Sequence, residues 1–132
     1  MGGEAEERKE VQEVGNPEMV DVGLKELKCR LEEFASARDW DQFHSPRNLL
    51  LAMVGEVGEL SEIFQWRGEV ARGLPNWEEG DKEHLGEELS DVLLYLIRLA
   101  DICGVDLGDA VTKKLLKNAM KYPAPAKIFQ TP

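Results

Sequence analysis

Two pairs of acidic residues are each spaced by about one turn of a helix. Glu56 precedes Glu59 by three positions, and Glu88 precedes Asp91 by the same interval. Residues three apart are neighbours on a helix surface, so each pair would place two carboxylates side by side. Clustered carboxylates repel one another unless a cation joins them. All-oxygen donors favour a hard ion, and Mg²⁺ is the expected one because it also binds substrate phosphates. The four residues are candidate metal ligands.

Both pairs overlap the apolar faces of their predicted helices. At about 100° per residue, Glu56 falls inside the apolar arc and Glu59 lies at its edge. Glu88 and Asp91 have the equivalent placement on a later helix. One such pair is common on solvated helices, but two pairs directed at apolar faces favour a metal site, since buried unpaired carboxylates are costly. The alternative is a non-enzymatic helical interaction module whose acidic pairs bind a basic partner. In such a module Glu56 and Glu88 should lie away from the apolar helix faces.

Four helices are expected to position these residues. Apolar residues recur at intervals of three and four, and no alternating segment is long enough to predict a strand. Ser45 and Pro46 form a helix start, Asp81 and Asp106 can cap later helices, and Gly104 is a stop signal. The predicted helices cover residues 21–38, 46–67, 81–103 and 106–122, with a loop at 68–80. The predicted fold is an all-α antiparallel four-helix bundle.

Composition indicates one domain. With 132 residues, 42% of them hydrophobic, the chain has material for a single ordinary core. Residues 1–19 are charged without apolar periodicity, which predicts a mobile acidic arm before a helical domain at 20–123 and a tail at 124–132. Cys29 and Cys103 lack metal-ligand spacing and are interpreted as reduced core thiols.

The net charge excludes two classes of partner. A formal charge of −10 argues against binding a nucleic-acid polymer or an anionic membrane surface. No apolar run approaches the about 20 residues of a membrane span, and the first residues are rich in Glu, unlike a signal peptide. The expected location is the cytosol.

The acidic motifs also resemble those of a known family. GEVGELSE at residues 55–62 and EELSD at residues 87–91 resemble the E-x-x-E and E-x-x-D signature of the MazG-like all-α nucleotide pyrophosphohydrolases. Residues 38–49, 64–66 and 114–123 further resemble the dCTP pyrophosphatases of that family. The resemblance spans about residues 24–123, nearly the whole predicted domain.

The resemblance implies Mg²⁺-dependent hydrolysis of a deoxynucleoside triphosphate between its α and β phosphates. The implied substrates are dCTP and 5-substituted dCTP, with nucleotide-pool sanitation as the role, and the implied assembly is a tetramer of paired dimers. Metal binding is implied for Glu56, Glu59, Glu88 and Asp91. Contacts to substrate phosphate and sugar are implied for Lys114, Asn118, Lys121 and Tyr122, and contacts to the base for Trp40 and Trp66. Other enzymes of the same fold act on dUTP or a phosphoribosyl nucleotide, so those substrates remain alternatives.

Three further residues bear on the substrate site. His44 precedes the helix start at Ser45, where it could orient the chain or approach substrate, and Tyr95 could support the acidic site by packing or a hydrogen bond. Leu31 stands where mammalian members of the resembling group have a histidine near the base, which predicts looser base discrimination.

Oligomerisation is also predicted from the residues. Leu51, Leu94 and Ile97 lie on helix sides that one core does not need, so a symmetric homo-oligomer is expected.

Overall fold

The computed structural model describes residues 21–126, and this part of the chain contains helices and no strand. The predicted all-α class is therefore confirmed. The helices are α1 (Leu24–Ala37), α2 (Pro46–Gln65), α3 (Glu79–Ile102) and α4 (Leu107–Lys121), with a 3₁₀ turn at Asp41–Phe43 between α1 and α2. The predicted arm at 1–19 lies outside the described residues, as does most of the predicted tail.

The helix ends follow from local chemistry. Ser45 Oγ accepts a hydrogen bond from the backbone N–H of Asn48 at 3.2 Å, and Pro46 occupies the first position of α2. Asp106 Oδ1 accepts likewise from the N–H of Asp109 at 3.0 Å at the start of α4. Gly104 follows α3 with a φ of 69°, a left-handed conformation that glycine adopts without strain. These three predicted signals are confirmed.

The start of α3 differs from the prediction. Asp81 is the third residue of α3 rather than its cap, and its Oδ2 accepts from the backbone N–H of Glu78 at 3.4 Å. This reciprocal arrangement, a capping box, satisfies an N–H group that precedes the helix. The helix therefore begins at Glu79, two residues earlier than predicted.

Packing places the two acidic pairs opposite each other. The most extensive helix contact joins α2 to α3, which carry one acidic pair each. α1 packs against α3, whereas α4 makes only a light contact with α1. The α2–α3 pair is thus the framework of the candidate site.

A single chain has a very small core. Among the described residues the buried hydrophobic side chains are Ala35, Leu49 and Ile97. The prediction of one ordinary core within the chain is wrong, because helix faces that would fill such a core lie exposed. Several large apolar residues of α2 and α4 are at least 45% exposed: Leu50, Leu51, Val54, Val57, Val111, Leu115, Leu116 and Met120.

Three residue-level expectations also need correction. Ile97 was expected on an outer side of α3 but is only 3% exposed. Cys29 and Cys103 are free, as predicted, but both are exposed rather than in a core. Cys29 lines a cleft with Ile97 and Leu107, and Cys103 is the first residue after α3. No helix within residues 21–126 is long and apolar enough to cross a membrane.

Candidate active site

Three carboxylates meet where α2 and α3 pack together. One side-chain oxygen each of Glu56, Glu59 and Glu88 lies within 4.8 Å of the others. We call these three residues the acidic cluster. The one-turn spacing in α2 brings Glu56 and Glu59 together, and helix packing adds Glu88.

Two oxygens of the acidic cluster are buried without a partner. Glu56 Oε2 and Glu88 Oε2 have no hydrogen-bond partner among the described residues. Buried polar atoms are nearly always satisfied, so an unsatisfied pair in one place calls for an explanation. A divalent cation bound by these oxygens would satisfy both and would offset the mutual repulsion of the carboxylates. The donor set therefore fits a metal ion.

The electrostatics agree with that assignment. Burial is the largest cause raising the pKa of Glu56, and the neighbouring carboxylates of Glu59, Asp91 and Glu88 raise it further. Burial also raises the pKa of Glu88, with smaller contributions from Glu59 and Asp91, while His84 opposes the shift. His84 Nε2 lies 3.9 Å from Glu88 Oε1. Burial and the neighbouring negative charges thus make Glu56 and Glu88 harder to ionise in the metal-free chain.

Asp91 lies beside the acidic cluster rather than within it. Its charge raises the pKa of both Glu56 and Glu88, yet it is outside the group joined within 4.8 Å. Asp91 also lines a neighbouring cleft. Of the four predicted metal ligands, the structure brings three together in the acidic cluster. It places the fourth, Asp91, between that cluster and the neighbouring cleft. Their binding of a metal stays a prediction.

The neighbouring cleft is largely aromatic and apolar. It encloses about 640 Å³ between α1, the 3₁₀ turn, α2 and α3, and we call it the aromatic cleft. Trp40 packs edge-on against Phe34 with ring centroids 5.5 Å apart. The cleft is also lined by Leu31, Leu94, Tyr95 and His44. Leu94, expected on an outer side of α3, therefore faces this cleft instead. A concave apolar cleft with a few polar groups is typical of a small-molecule site.

The two tryptophans implied to contact the base are separated in one chain. Trp66 is 83% exposed and lies along a second cleft of about 700 Å³ beside the acidic cluster, together with Arg67 and His84. Trp77 packs on Phe64 with centroids 5.4 Å apart. The structure thus brings Trp40 to the aromatic cleft and leaves Trp66 outside it.

The residues on and just after α4 that are implied to contact phosphate and sugar line neither cleft. In the described part of the chain, the residues lining the aromatic cleft and the second cleft include none of Lys114, Asn118, Lys121 and Tyr122. Lys121 instead lies over the ring of Tyr122, with 5.3 Å from its Nζ to the ring centroid. Their substrate contacts stay predictions that one chain does not complete.

Comparison with known proteins places this arrangement in a family. The model of a family described as MazG-like matches residues 52–128, which include α3, α4 and most of α2. The chain belongs to the MazG-like family. The family resemblance inferred from the acidic motifs is therefore confirmed.

Relatives of this MazG-like chain include dCTP pyrophosphatase 1 of Rattus norvegicus and of Homo sapiens. Each is 52% identical to the chain, over 100 and 101 residues respectively, and the match covers 76% of this chain. It covers 59% of either relative, so the chain spans about three fifths of the length of these proteins.

Solved structures support the MazG-like fold. A crystal structure of a pyrophosphatase from Archaeoglobus fulgidus has a TM-score of 0.68 and 37% identity, covering 80% of this chain and 96% of that one. iMazG from Vibrio DAT 722 has a TM-score of 0.53 and 28% identity, covering 78% and 100%.

Sequence reasoning missed one charged residue of the MazG-like site. Arg98 is 5% exposed and lines the aromatic cleft, where it binds Asp41, His44 and Asp101. A signal for it existed, because Arg98 lies seven positions after Asp91 and so points in nearly the same direction from α3.

Proposed function

We propose that this protein is a Mg²⁺-dependent nucleoside triphosphate pyrophosphohydrolase that converts dCTP and 5-substituted dCTP to the monophosphate and pyrophosphate. The observation that carries the proposal is the junction of two sites: a carboxylate cluster with two unpartnered buried oxygens adjoins an aromatic cleft, and Asp91 belongs to the surroundings of both. The names of the relatives and of the Archaeoglobus neighbour support the same reaction class.

The aromatic cleft suits the base. Trp40 offers a flat face for stacking, and Leu31 and Leu94 provide apolar walls that can bury a 5-methyl or 5-halogen group. Tyr95 and His44 supply polar atoms within reach of a bound ring. A base in this cleft would direct its ribose and phosphates toward Asp91 and the acidic cluster.

The acidic cluster suits the metal-bound phosphates. Glu56, Glu59, Glu88 and Asp91 would hold Mg²⁺, which supplies charge neutralisation for phosphate oxygens and acidification of water near neutral pH. Two carboxylates come from α2 and two from α3, so helix packing sets their separation before substrate arrives. Hydrolysis then consumes one water and releases dCMP and pyrophosphate, without a nucleophilic side chain.

A second copy of the chain would complete the phosphate site. Lys114 and Lys121 provide positive charge on α4, but they line neither cleft of their own chain. Exposed apolar residues on the same helix, including Leu115 at 64% and Met120 at 83%, would be covered by helices of a neighbouring subunit. We therefore propose a homo-oligomer, with the tetramer as the expected form, in which α4 meets a partner's acidic cluster.

An interaction module in place of an enzyme fits the geometry less well. Such a module should expose its acidic pairs, whereas Glu56 and Glu88 are half-buried and each has an oxygen shielded from solvent. The cytosolic location expected from the sequence stays a prediction.

The test is product analysis on a panel of nucleotides with Mg²⁺ or with EDTA. dCTP, 5-methyl-dCTP, dUTP, dTTP and dATP are incubated with the protein, and dCMP with pyrophosphate is expected from dCTP only when Mg²⁺ is present. Glu56→Gln and Asp91→Asn should abolish turnover with the helical content unchanged, and Glu87→Gln, an exposed neighbour on α3, is the matched control. Near-normal turnover of Glu56→Gln at saturating Mg²⁺ would refute the metal assignment, and release of dCDP with phosphate would refute the bond cleaved.

A further inference from the structure

A buried arginine joins α3 to the turn before α2. Arg98 is 5% exposed and is the one buried charged residue within residues 21–126. Its Nη2 donates to Asp41 Oδ1 at 2.8 Å, and its Nη1 donates to Asp101 Oδ2 at 3.2 Å. Its Nε donates to Nδ1 of His44 at 3.0 Å. The two carboxylates are the charged partners of the guanidinium, and His44 is an additional acceptor.

The contact defines the protonation of His44. A guanidinium can only donate hydrogen bonds, so the Nδ1 that accepts from it must have a free lone pair. A neutral imidazole then has its proton on Nε2. The charged groups facing His44 are Arg98 and Asp41; burial and the Arg98 charge lower the pKa of His44, and Asp41 opposes them with the smaller effect. His44 is therefore neutral, with an N–H at Nε2.

This N–H belongs to a residue that lines the aromatic cleft. His44 lies beside Trp40, with ring centroids 6.3 Å apart, and both residues line the cleft. No acceptor is paired with Nε2 among the hydrogen bonds of the described residues. In small-molecule clefts, a few polar groups among apolar walls commonly fix the orientation of the ligand.

We propose that Arg98 is a positioning residue that fixes His44 as the Nε2–H tautomer, so that His44 donates a hydrogen bond to an acceptor atom of the base in the aromatic cleft. The proposal rests on the proposed nucleotide substrate for the identity of the ligand, and on the structure alone for the tautomer.

The donor has a consequence for base choice. Cytosine has an acceptor at N3, where uracil and thymine have an N–H donor, and all three have an acceptor at O2. A fixed donor facing N3 would favour cytosine, because uracil would leave two donors opposed and unpaired. A donor facing O2 would bind all three. The recognised chemistry is an acceptor on the base in either case, and 3-deaza-dCTP, which has C–H in place of N3, distinguishes the two acceptors.

The tautomer is tested first, without substrate. The measurement is a long-range ¹H–¹⁵N correlation spectrum of the protein with ¹⁵N-labelled imidazoles, recorded in EDTA. Only two residues need to be resolved, since His44 and His84 are the only histidines of the chain. We expect His44 with a bare Nδ1 and a protonated Nε2, and Arg98→Met should return it to exchange between both tautomers. A proton on Nδ1 in the unmodified protein, or a His44 spectrum unchanged by Arg98→Met, would overturn the role of Arg98.

Substrate recognition is tested with two substitutions at position 44. Asn can still accept from Arg98 near the Nδ1 position but has no donor at the Nε2 position, whereas Gln can reach the Nε2 position with its amide N–H. We expect His44→Asn to raise KM for dCTP by about 2- to 10-fold, the range of one net hydrogen bond, with kcat little changed, and His44→Gln to recover part of the loss.

The outcomes separate the proposals. If His44→Asn leaves KM unchanged, His44 only satisfies Arg98 and the donor role is wrong. If the KM of the unmodified protein is higher for 3-deaza-dCTP than for dCTP by the same factor, N3 is the acceptor. If these two KM values are equal and only His44→Asn raises KM, O2 is the acceptor. If no nucleotide is hydrolysed, the proposed function fails while the tautomer result stands independently.

Discussion

Replacing Glu56 with Gln should change the stability of the protein in opposite directions with and without Mg²⁺. Glu56 has a raised pKa because burial and three neighbouring carboxylates oppose its charge. Gln keeps nearly the same volume and removes that charge. In EDTA the variant should therefore be more stable than the unmodified protein, although it lacks a carboxylate to which the proposed function assigns metal binding.

The size of the effect follows from the cluster geometry. At 4.8 Å, the upper limit of the separations in the cluster, two unit charges repel by about 0.9 kcal/mol in water and by about 3.5 kcal/mol at an effective dielectric constant of about 20. Because Glu59 is exposed, solvent screening favours the lower end, about 1 kcal/mol. For a chain of this length, that corresponds to a rise in Tm of about 4 °C.

Adding Mg²⁺ should reverse the order. At 100 times its Kd, a ligand that binds only the folded state stabilises it by about 2.7 kcal/mol. The unmodified protein gains this stabilisation, whereas Glu56→Gln has lost a ligand and gains much less. Thermal unfolding at one fixed protein concentration, in EDTA and in a Mg²⁺ series, measures both effects, with Glu87→Gln as the control expected to follow the unmodified protein. A variant less stable in EDTA, or equal stabilisation of both proteins by Mg²⁺, would refute the reasoning.

Three further outcomes are expected. The raised pKa values of Glu56 and Glu88 mean that, between the ordinary glutamate pKa and those raised values, the folded metal-free chain holds protons that the unfolded chain has released. Its unfolding free energy should therefore increase as pH falls through that range, while stabilisation by Mg²⁺ decreases because the ligands must be deprotonated; melts across pH with EDTA and with Mg²⁺ check both signs. Because Leu31 lines the cleft, 5-methyl-dCTP should have a kcat/KM at least equal to that of dCTP, with up to about 0.8 kcal/mol for the buried methyl group, and Leu31→His should sharpen the preference for cytosine over uracil. dATP as the best substrate of the unmodified protein would contradict a pyrimidine cleft. Leu115→Asp, placing a charge on the exposed face of α4, should reduce the oligomer measured by light scattering, and a monomeric unmodified protein at micromolar concentration would argue against assembly.

The acidic cluster was predictable because its spacing is local. A three-residue interval on a helix fixes that Glu56 lies beside Glu59, whatever the rest of the fold does. Only the meeting of α2 with α3 required tertiary packing, and apolar faces on both predicted helices indicated it. Helix starts at Ser45 and Asp106 were equally local, since each depends on one side chain and one N–H group.

The features missed from sequence depend on distant parts of the chain. Arg98 is buried because the turn at Asp41–Phe43 places Asp41 and His44 against α3, more than 50 residues away in sequence. Ile97 and Leu94 were predicted on an outer side of α3, but Ile97 is buried and Leu94 lines the aromatic cleft. The reason is related, because the side of an apolar helix that is covered depends on where the neighbouring helices pack. Hydrophobic periodicity identifies the apolar face of a helix but does not identify the element that packs against it.

The position of Asp91 links the acidic cluster to the aromatic cleft electrostatically. It faces the aromatic cleft while its charge acts on Glu56 and Glu88. Under the proposed function, a cation bound at the cluster would also change the field at the cleft, and a nucleotide spanning both sites would bring phosphate charge to the cluster. By thermodynamic reciprocity, the factor by which the ion tightens nucleotide binding equals the factor by which the nucleotide tightens ion binding. Under the proposed function, the free Mg²⁺ concentration would therefore set the apparent affinity for the nucleotide.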